Sequence, residues 1–246
     1  MKVENDVLLV LSNAQTDGNA LRLVGQLDRK LYERTNKVLE AAGGKWNRKA
    51  KAHLYDGDAA EAMEQIILTG ECEIGRKQNF GYFPTPLKLG IQVAGLAALE
   101  AGHTVLEPNI GQGHLAKAIH QTEPGVSIKG YELLPENVAK SGAFFDVTEG
   151  DFLGIEPSQK FDRVVMNPPF AKQADIHHVN HALKFLRAGG RLVSIMSASV
   201  TFRDNKLTTA FRDLIAQRSG SIQPNDQGAF KESGTMVNTV TVVIPA

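Results

Sequence analysis

The stretch Thr104-Val105-Leu106-Glu107-Pro108-Asn109-Ile110-Gly111-Gln112-Gly113-His114-Leu115 reads as an apolar strand that breaks into a glycine turn and opens a helix. The alternation continues toward the carboxyl end. It predicts a helix over 113–121, a strand over 126–132, a helix over 135–141 and a short strand over 143–147. It then predicts a strand over 161–166, a helix over 174–187, a strand over 191–196 and a last long helix over 205–217. Extended stretches near Ser221 and over 237–244 follow with no helix between them. Strand and helix in turn give an α/β fold with a mostly parallel sheet, and the final pair gives an antiparallel hairpin at its edge. Ligands of such open sheets bind at the carboxyl ends of the strands.

Upstream the pattern differs. A helix over 26–42 carries Leu27, Leu31, Val38 and Leu39 on one side, and Gly43-Gly44 ends it. A short hairpin over 45–55 and a helix over 58–68 complete a small α+β module at 1–75. A break near Gly75 to Gly81 separates it from the α/β domain at 76–246.

With 42% apolar and 22% charged residues, the composition is that of a globular protein. No apolar run approaches the roughly 20 residues that span a bilayer, so no membrane segment is expected. The polar start Met1-Lys2-Val3-Glu4-Asn5-Asp6 does not resemble a signal peptide. A single cysteine, Cys72, supports neither a disulfide framework nor a thiolate metal cluster, and a reducing cytoplasm is the expected setting. Net charge is zero, yet residues 29–51 hold eight basic and two acidic side chains, 8 − 2 = +6.

Each strand tip of the second domain carries a chemical suggestion. Gly111 and Gly113 let the backbone approach a ligand closely, although a plain strand-turn-helix connection would use them too. Glu107 has the wrong charge for a pyrophosphate and the right one for an ammonium or sulfonium. Glu132 lies 132 − 111 = 21 residues past the first glycine, the spacing at which an acid accepts ribose hydroxyls. Asp151-Phe152 offers a carboxylate and a ring to an adenine, or simply a helix N-cap. The fourth strand ends in Asn167-Pro168-Pro169-Phe170. Its prolines stiffen the backbone. The Asn167 side chain and the Pro168 carbonyl are acceptors for the two protons of an NH₂ group, and Phe170 offers a stacking face.

Taken in this order, residues 82–244 resemble the class I S-adenosylmethionine-dependent amino-methyltransferases, with their Rossmann-like sheet. More narrowly, they resemble the DNA N6-adenine methyltransferases of phages and plasmids. The resemblance implies S-adenosyl-L-methionine as cofactor, with Glu107, Pro108, Asn109, Gly111 and Gly113 at its methionine part. Glu132 and Leu133 would sit at the ribose, Asp151 and Phe152 at the adenine, and Asn167 beside the methyl. Tyr82-Phe83-Pro84-Thr85-Pro86 resembles the family's additional motif over the methionine end, bringing in Phe83 and Thr85; it also fits a helix start with Thr85 as N-cap. Asn167 to Phe170 match the catalytic tetrapeptide. Gly228-Ala229-Phe230-Lys231 resembles the loop joining the last two strands.

The implied reaction is methyl transfer to the exocyclic amine of adenine in DNA, without a metal, on a flipped or single-stranded base. Alternatives are an RNA adenine or guanine amino-methyltransferase, a protein-glutamine methyltransferase, or an inactive nucleic-acid-binding relative. No separate target-recognition domain is expected after the last strand, and sequence specificity is expected to be low or loop-encoded. The +6 stretch, with Lys45, Trp46, Arg48 and Lys49, would suit nucleic-acid contact, as would Phe230 and Lys231; a solvated helix face with a core tryptophan is the other reading. His177, His178 and His181 read as polar surface, only His177 and His181 sharing a helix face.

Overall fold

The computed structural model describes residues 1–72, 83–158 and 160–246. The expected break at 75–81 and Tyr82 lie outside the described residues. The chain forms two compact units. One comprises Met1–Asn79 with Ala198–Ala210, and the other Phe80–Ser197 with Phe211–Ala246.

In the first unit, α1 (Asn5–Ser12) buries Val7, Leu8 and Leu11, an i, i+4 apolar stripe that the sequence reading passed over. Strands β1 (Gln15–Asp17) and β2 (Ala20–Arg22), also unanticipated, form an antiparallel pair. Helix α2 (Arg29–Ala41) starts where the Asp28 carboxylate accepts from the N–H groups of Lys30 and Leu31. The expected hairpin is β3 (Lys45–Asn47) with β4 (Ala52–Leu54), and the sheet order is β1-β2-β4-β3. Helix α3 (Ala59–Thr69) is capped by Asp58 and stops at Gly70 in the left-handed region. Val7, Leu11, Leu21, Leu39, Met63 and Ile66 share one core, against which Phe202 packs. Arg203 and Glu64 pair at 2.7 Å, both largely buried.

The second unit is the α/β domain. Helix α4 (Leu87–Leu96) precedes β5 (Thr104–Glu107), α5 (His114–Thr122), β6 (Ser127–Glu132), α6 (Pro135–Ser141) and β7 (Asp146–Glu149). Then come β8 (Phe161–Met166), α7 (Ala174–Ala182), β9 (Leu186–Ser197), α8 (Lys206–Gln217, divided between the units), β10 (Ser221–Pro224) and β11 (Thr239–Pro245). The seven-stranded order is β10-β11-β9-β8-β5-β6-β7. Strands β5 to β9 pair in parallel, whereas β11 runs antiparallel to both β9 and β10. Val105, Leu106, Val164, Val165 and Met166 are fully buried, as apolar runs at the centre of a parallel sheet require.

Two segments depart from the expectation. Helix α7 gives way to a 3-10 turn at Leu183–Phe185, and β9 begins at Leu186, inside the stretch read as helix. Pairing of Leu186 with Phe161 outweighs the local helical spacing; the register then shifts between Phe161 and Arg163, and Gly189 bends at φ +74°. β7 starts at Asp146, three residues later than expected. Phe144 and Phe145 had lengthened the apolar run, but they lie before the strand, and Phe144 is 70% exposed.

Candidate active site

The strand order reverses direction between β8 and β5, the switch point at which open sheets bind ligands. Asn167, Glu107, Glu132 and Asp151 lie at the carboxyl tips of β8, β5, β6 and β7, four neighbouring strands. Three steps of about 4.8 Å carry this row across roughly 14 Å, enough for an extended nucleoside joined to an amino acid.

Register sets each member. Glu107 pairs opposite Gly130, and a Cβ there would come within 2.6 Å of Ile110 Cδ1, so the glycine makes room for the loop. Within that loop Gly111 and Gly113 adopt φ of +54° and +81°, and a Cβ on Gly113 would meet Phe145 at 3.2 Å. The Glu132 carboxylate accepts from the backbone N–H of Gly111 at 2.9 Å and of Leu134 at 2.8 Å. It therefore ties the β5 loop to the end of β6, a role that spacing alone did not reveal. Leu133, next along, is 63% exposed.

Asn167 is the most constrained of the four. Its Nδ2 donates to the Phe83 carbonyl at 3.2 Å and to Thr85 Oγ1 at 3.0 Å. A carbonyl can only accept, so the nitrogen must face Phe83 and the oxygen must face away. Thr85 therefore does not cap α4: Pro86 stands at the N-cap without a side-chain bond. The helix start is displaced by one residue from the expected one, and the Thr85 hydroxyl accepts from Asn167 instead of a backbone N–H of the helix.

Three acceptors at this edge are buried with no hydrogen-bond partner among the described residues: Glu107 Oε2, Asn109 Oδ1 and Asn167 Oδ1. Each orphan of this kind costs about 1–3 kcal/mol, so three together point to a ligand rich in N–H donors. Burial, only partly opposed by the Ala116 backbone N–H, pushes the Glu107 carboxyl well above the usual range, and Glu132 adds to the rise. A cation beside Glu107 would reverse that.

Phe170 does not present an open face: it is 2% exposed, with its ring edge-on to Phe230 at 6.4 Å and 87°. Phe230 is fully buried as well, 6.5 Å from Phe83, which corrects its reading as a nucleic-acid contact. Its aromatic area is consumed in joining the three site segments, and Ser233 Oγ fastens the same loop to the Pro84 carbonyl at 2.6 Å. Lys231 remains exposed. After the tetrapeptide, Lys172 and Gln173 both take left-handed φ, 55° and 60°, a strained pair of the kind that collects at functional loops.

At the far end of the row, Asp151 is exposed and its carboxylate accepts from the Leu153 N–H, as a cap. Phe152 is buried and packs on His178, His181 and Phe185. The polar-surface reading of the histidines is corrected here for two of the three. His178 is 7% exposed and His181 bonds the Ile155 carbonyl at 2.9 Å, so these two, not His177 and His181, share the inward face of α7. Phe152 supplied the apolar partner that the sequence could not show. No cluster able to hold a metal occurs among the described residues.

The sheet and its strand-end row define a Rossmann-like fold of the class I methyltransferases. The chain belongs to the methyltransferase small domain family, whose profile matches residues 96–220. S-adenosyl-L-methionine is its cofactor, and two of the orphaned acceptors fit it, since Glu107 can face positive charge and Asn109 an N–H donor. A candidate class I S-adenosylmethionine-dependent methyltransferase of Listeria monocytogenes is 14% identical over 76% of this chain and 67% of its own, with a TM-score of 0.58. A type I restriction-modification methyltransferase subunit of Streptococcus thermophilus is 19% identical over 75% of this chain, with a TM-score of 0.56. The modification subunit of a candidate type I restriction enzyme from Vibrio vulnificus is 13% identical over 67%, with a TM-score of 0.57. The chain spans 48% and 44% of those two subunits. No curated protein matches it.

Proposed function

We propose that this methyltransferase modifies the exocyclic N6 amino group of adenine in DNA. The observation that carries the reading is the Asn167 carboxamide, whose nitrogen is held by Phe83 and Thr85 while its buried oxygen has no partner among the described residues. An aromatic amine is a weak nucleophile because its lone pair is shared with the ring. Oδ1 of Asn167 and the Pro168 carbonyl accept hydrogen bonds from its two N–H groups, returning electron density to nitrogen and stabilising the positive charge that develops there. When bound, the cofactor supplies an electrophilic methyl group on a positively charged sulfur. Glu107, Asn109 and the Gly111–Gly113 backbone hold its amino-acid end, Glu132 and Leu133 its ribose, and Asp151 its adenine. Phe152, being buried, shapes that end from beneath. Phe170 meets the target base once its edge contact with Phe230 yields.

Two of the similar structures are named as subunits of restriction systems, which makes DNA the first polymer to test. Tritiated methyl transfer is measured with DNA, RNA and protein in parallel, and the modified nucleoside is identified by mass. N6-methyladenine in DNA is the expected product; label confined to RNA or protein rejects the reading. Asn167→Ala should lower turnover about 10²- to 10³-fold while cofactor affinity stays near that of the parent. Equal loss of both would make Asn167 structural.

A further inference from the structure

The first unit carries exposed chemistry that the methyl-transfer site does not use. Between Ala41 and Tyr55 the chain has four cations, Lys45, Arg48, Lys49 and Lys51, and no acidic residue. All four are exposed, and none pairs with a carboxylate among the described residues. In their midst the chain's single tryptophan, Trp46, lies on the edge strand β3 and is 51% exposed.

This surface is built rather than loose. The Asn47 side chain accepts from the Ala50 N–H at 2.9 Å and closes the turn that carries Arg48 and Lys49. Across the strand pair Trp46 faces His53, with ring centroids 5.2 Å apart. His53 is buried and its Nε2 bonds Asn36 Oδ1 of α2 at 2.8 Å. The indole is thus held by a tilted, anchored ring while about half of it stays exposed. Glu40, the nearest acid on that helix, accepts from Asn36 Nδ2 at 2.7 Å.

We infer that the β3–β4 hairpin is a docking surface for single-stranded DNA, with Trp46 stacking on a base and Lys45, Arg48, Lys49 and Lys51 meeting phosphates. Unpaired cations match a polyanion, and an open aromatic face is useful where bases are not already stacked in a duplex. The choice of DNA over RNA rests on the adenine-in-DNA reading; the occupancy of the hairpin does not.

Because Trp46 is the only tryptophan, its fluorescence reports on this site alone. The full-length protein, without cofactor, is titrated with a thymidine 12-mer, which has no adenine to methylate. The expected result is quenching that saturates and that weakens about 50-fold between 50 and 200 mM salt, as four neutralised phosphates on a single strand require. Lys45→Ala combined with Lys49→Ala should halve the salt slope, and Trp46→Phe, followed by oligonucleotide anisotropy, should retain most affinity. Trp46→Ala should bind about tenfold or more weakly, with circular dichroism confirming that the variants fold. Unquenched fluorescence, affinity indifferent to these changes, or stronger quenching by a duplex or by uridine 12-mer would overturn the inference. An Asn167→Ala protein tested the same way should be quenched normally. Failure of methyl transfer with intact quenching therefore rejects the catalytic reading alone, and the converse rejects the docking surface alone.

Discussion

Replacing Thr85 by valine keeps the shape of a buried side chain and deletes one atom, the Oγ1 that accepts from Asn167 Nδ2 at 3.0 Å. The Asn167 amide is then held only by the Phe83 carbonyl at 3.2 Å. A neutral hydrogen bond of this kind contributes about 1 kcal/mol net, and leaving a buried N–H unmatched costs about as much again. At a factor of ten per 1.36 kcal/mol, these two losses of about 2 kcal/mol together lower the population with Oδ1 correctly aimed about thirtyfold. The same reduction should appear in kcat, since the geometry matters to the reacting amine and not to the bound donor. Single-turnover methyl transfer and a separate cofactor titration divide the two effects, and Thr85→Ser should recover most of the loss. If the valine variant instead binds the cofactor several-fold more weakly at unchanged kcat, Thr85 is a cofactor contact and the positioning argument is wrong.

Glu107→Gln should tighten the free protein and loosen its ligand. A carboxyl whose folded pKa is raised by burial contributes stability at low pH that fades as pH rises above its ordinary value. Melting of the ligand-free variant should therefore exceed the parent at pH 8 and match it near pH 4.5, while cofactor affinity at pH 8 drops; a parent as stable as the variant at pH 8 would contradict this. His178 has the opposite sign. Burial pulls its pKa down to about 4, so the parent should lose stability as pH falls from about 6.5 toward 4, by roughly 3 kcal/mol if fully expressed. His178→Phe should flatten that slope in urea titrations, and an unchanged slope would show another group responsible. Gly130→Ala forces a methyl into Ile110, with an expected destabilisation of about 1–3 kcal/mol and a weakened cofactor site, read by thermal melting with and without ligand. An undisturbed melt with normal affinity would show that the loop has slack.

Much of the α/β domain was legible because its strands are apolar runs bounded by glycine or proline turns, and both features are local. The tips of β5, β6, β7 and β8 then follow from strand order, which puts Glu107, Glu132, Asp151 and Asn167 in one row. What resisted reading was whatever depends on a distant partner. Phe230 looked like an exposed aromatic in a polar loop until Phe83 and Phe170 enclosed it. His178 looked polar until Phe152 covered it. Helix α1 carries its apolar stripe in only eight residues, too few for periodicity to stand out, and β1 and β2 are three residues each. The stretch before β9 is ambiguous in isolation, since apolar spacing there suits a helix until Phe161 claims Leu186.

The twin left-handed residues after the tetrapeptide have an implication of their own. Lys172 and Gln173 hold a shape that most side chains resist, at the point where the chain leaves Phe170 and enters α7. Each residue held in that region costs about 1–3 kcal/mol, which the packing around Phe170 must offset. Glycine at either position would ease that strain, so Lys172→Gly or Gln173→Gly should melt higher than the parent, a stability reserve kept outside the groups that touch the methyl.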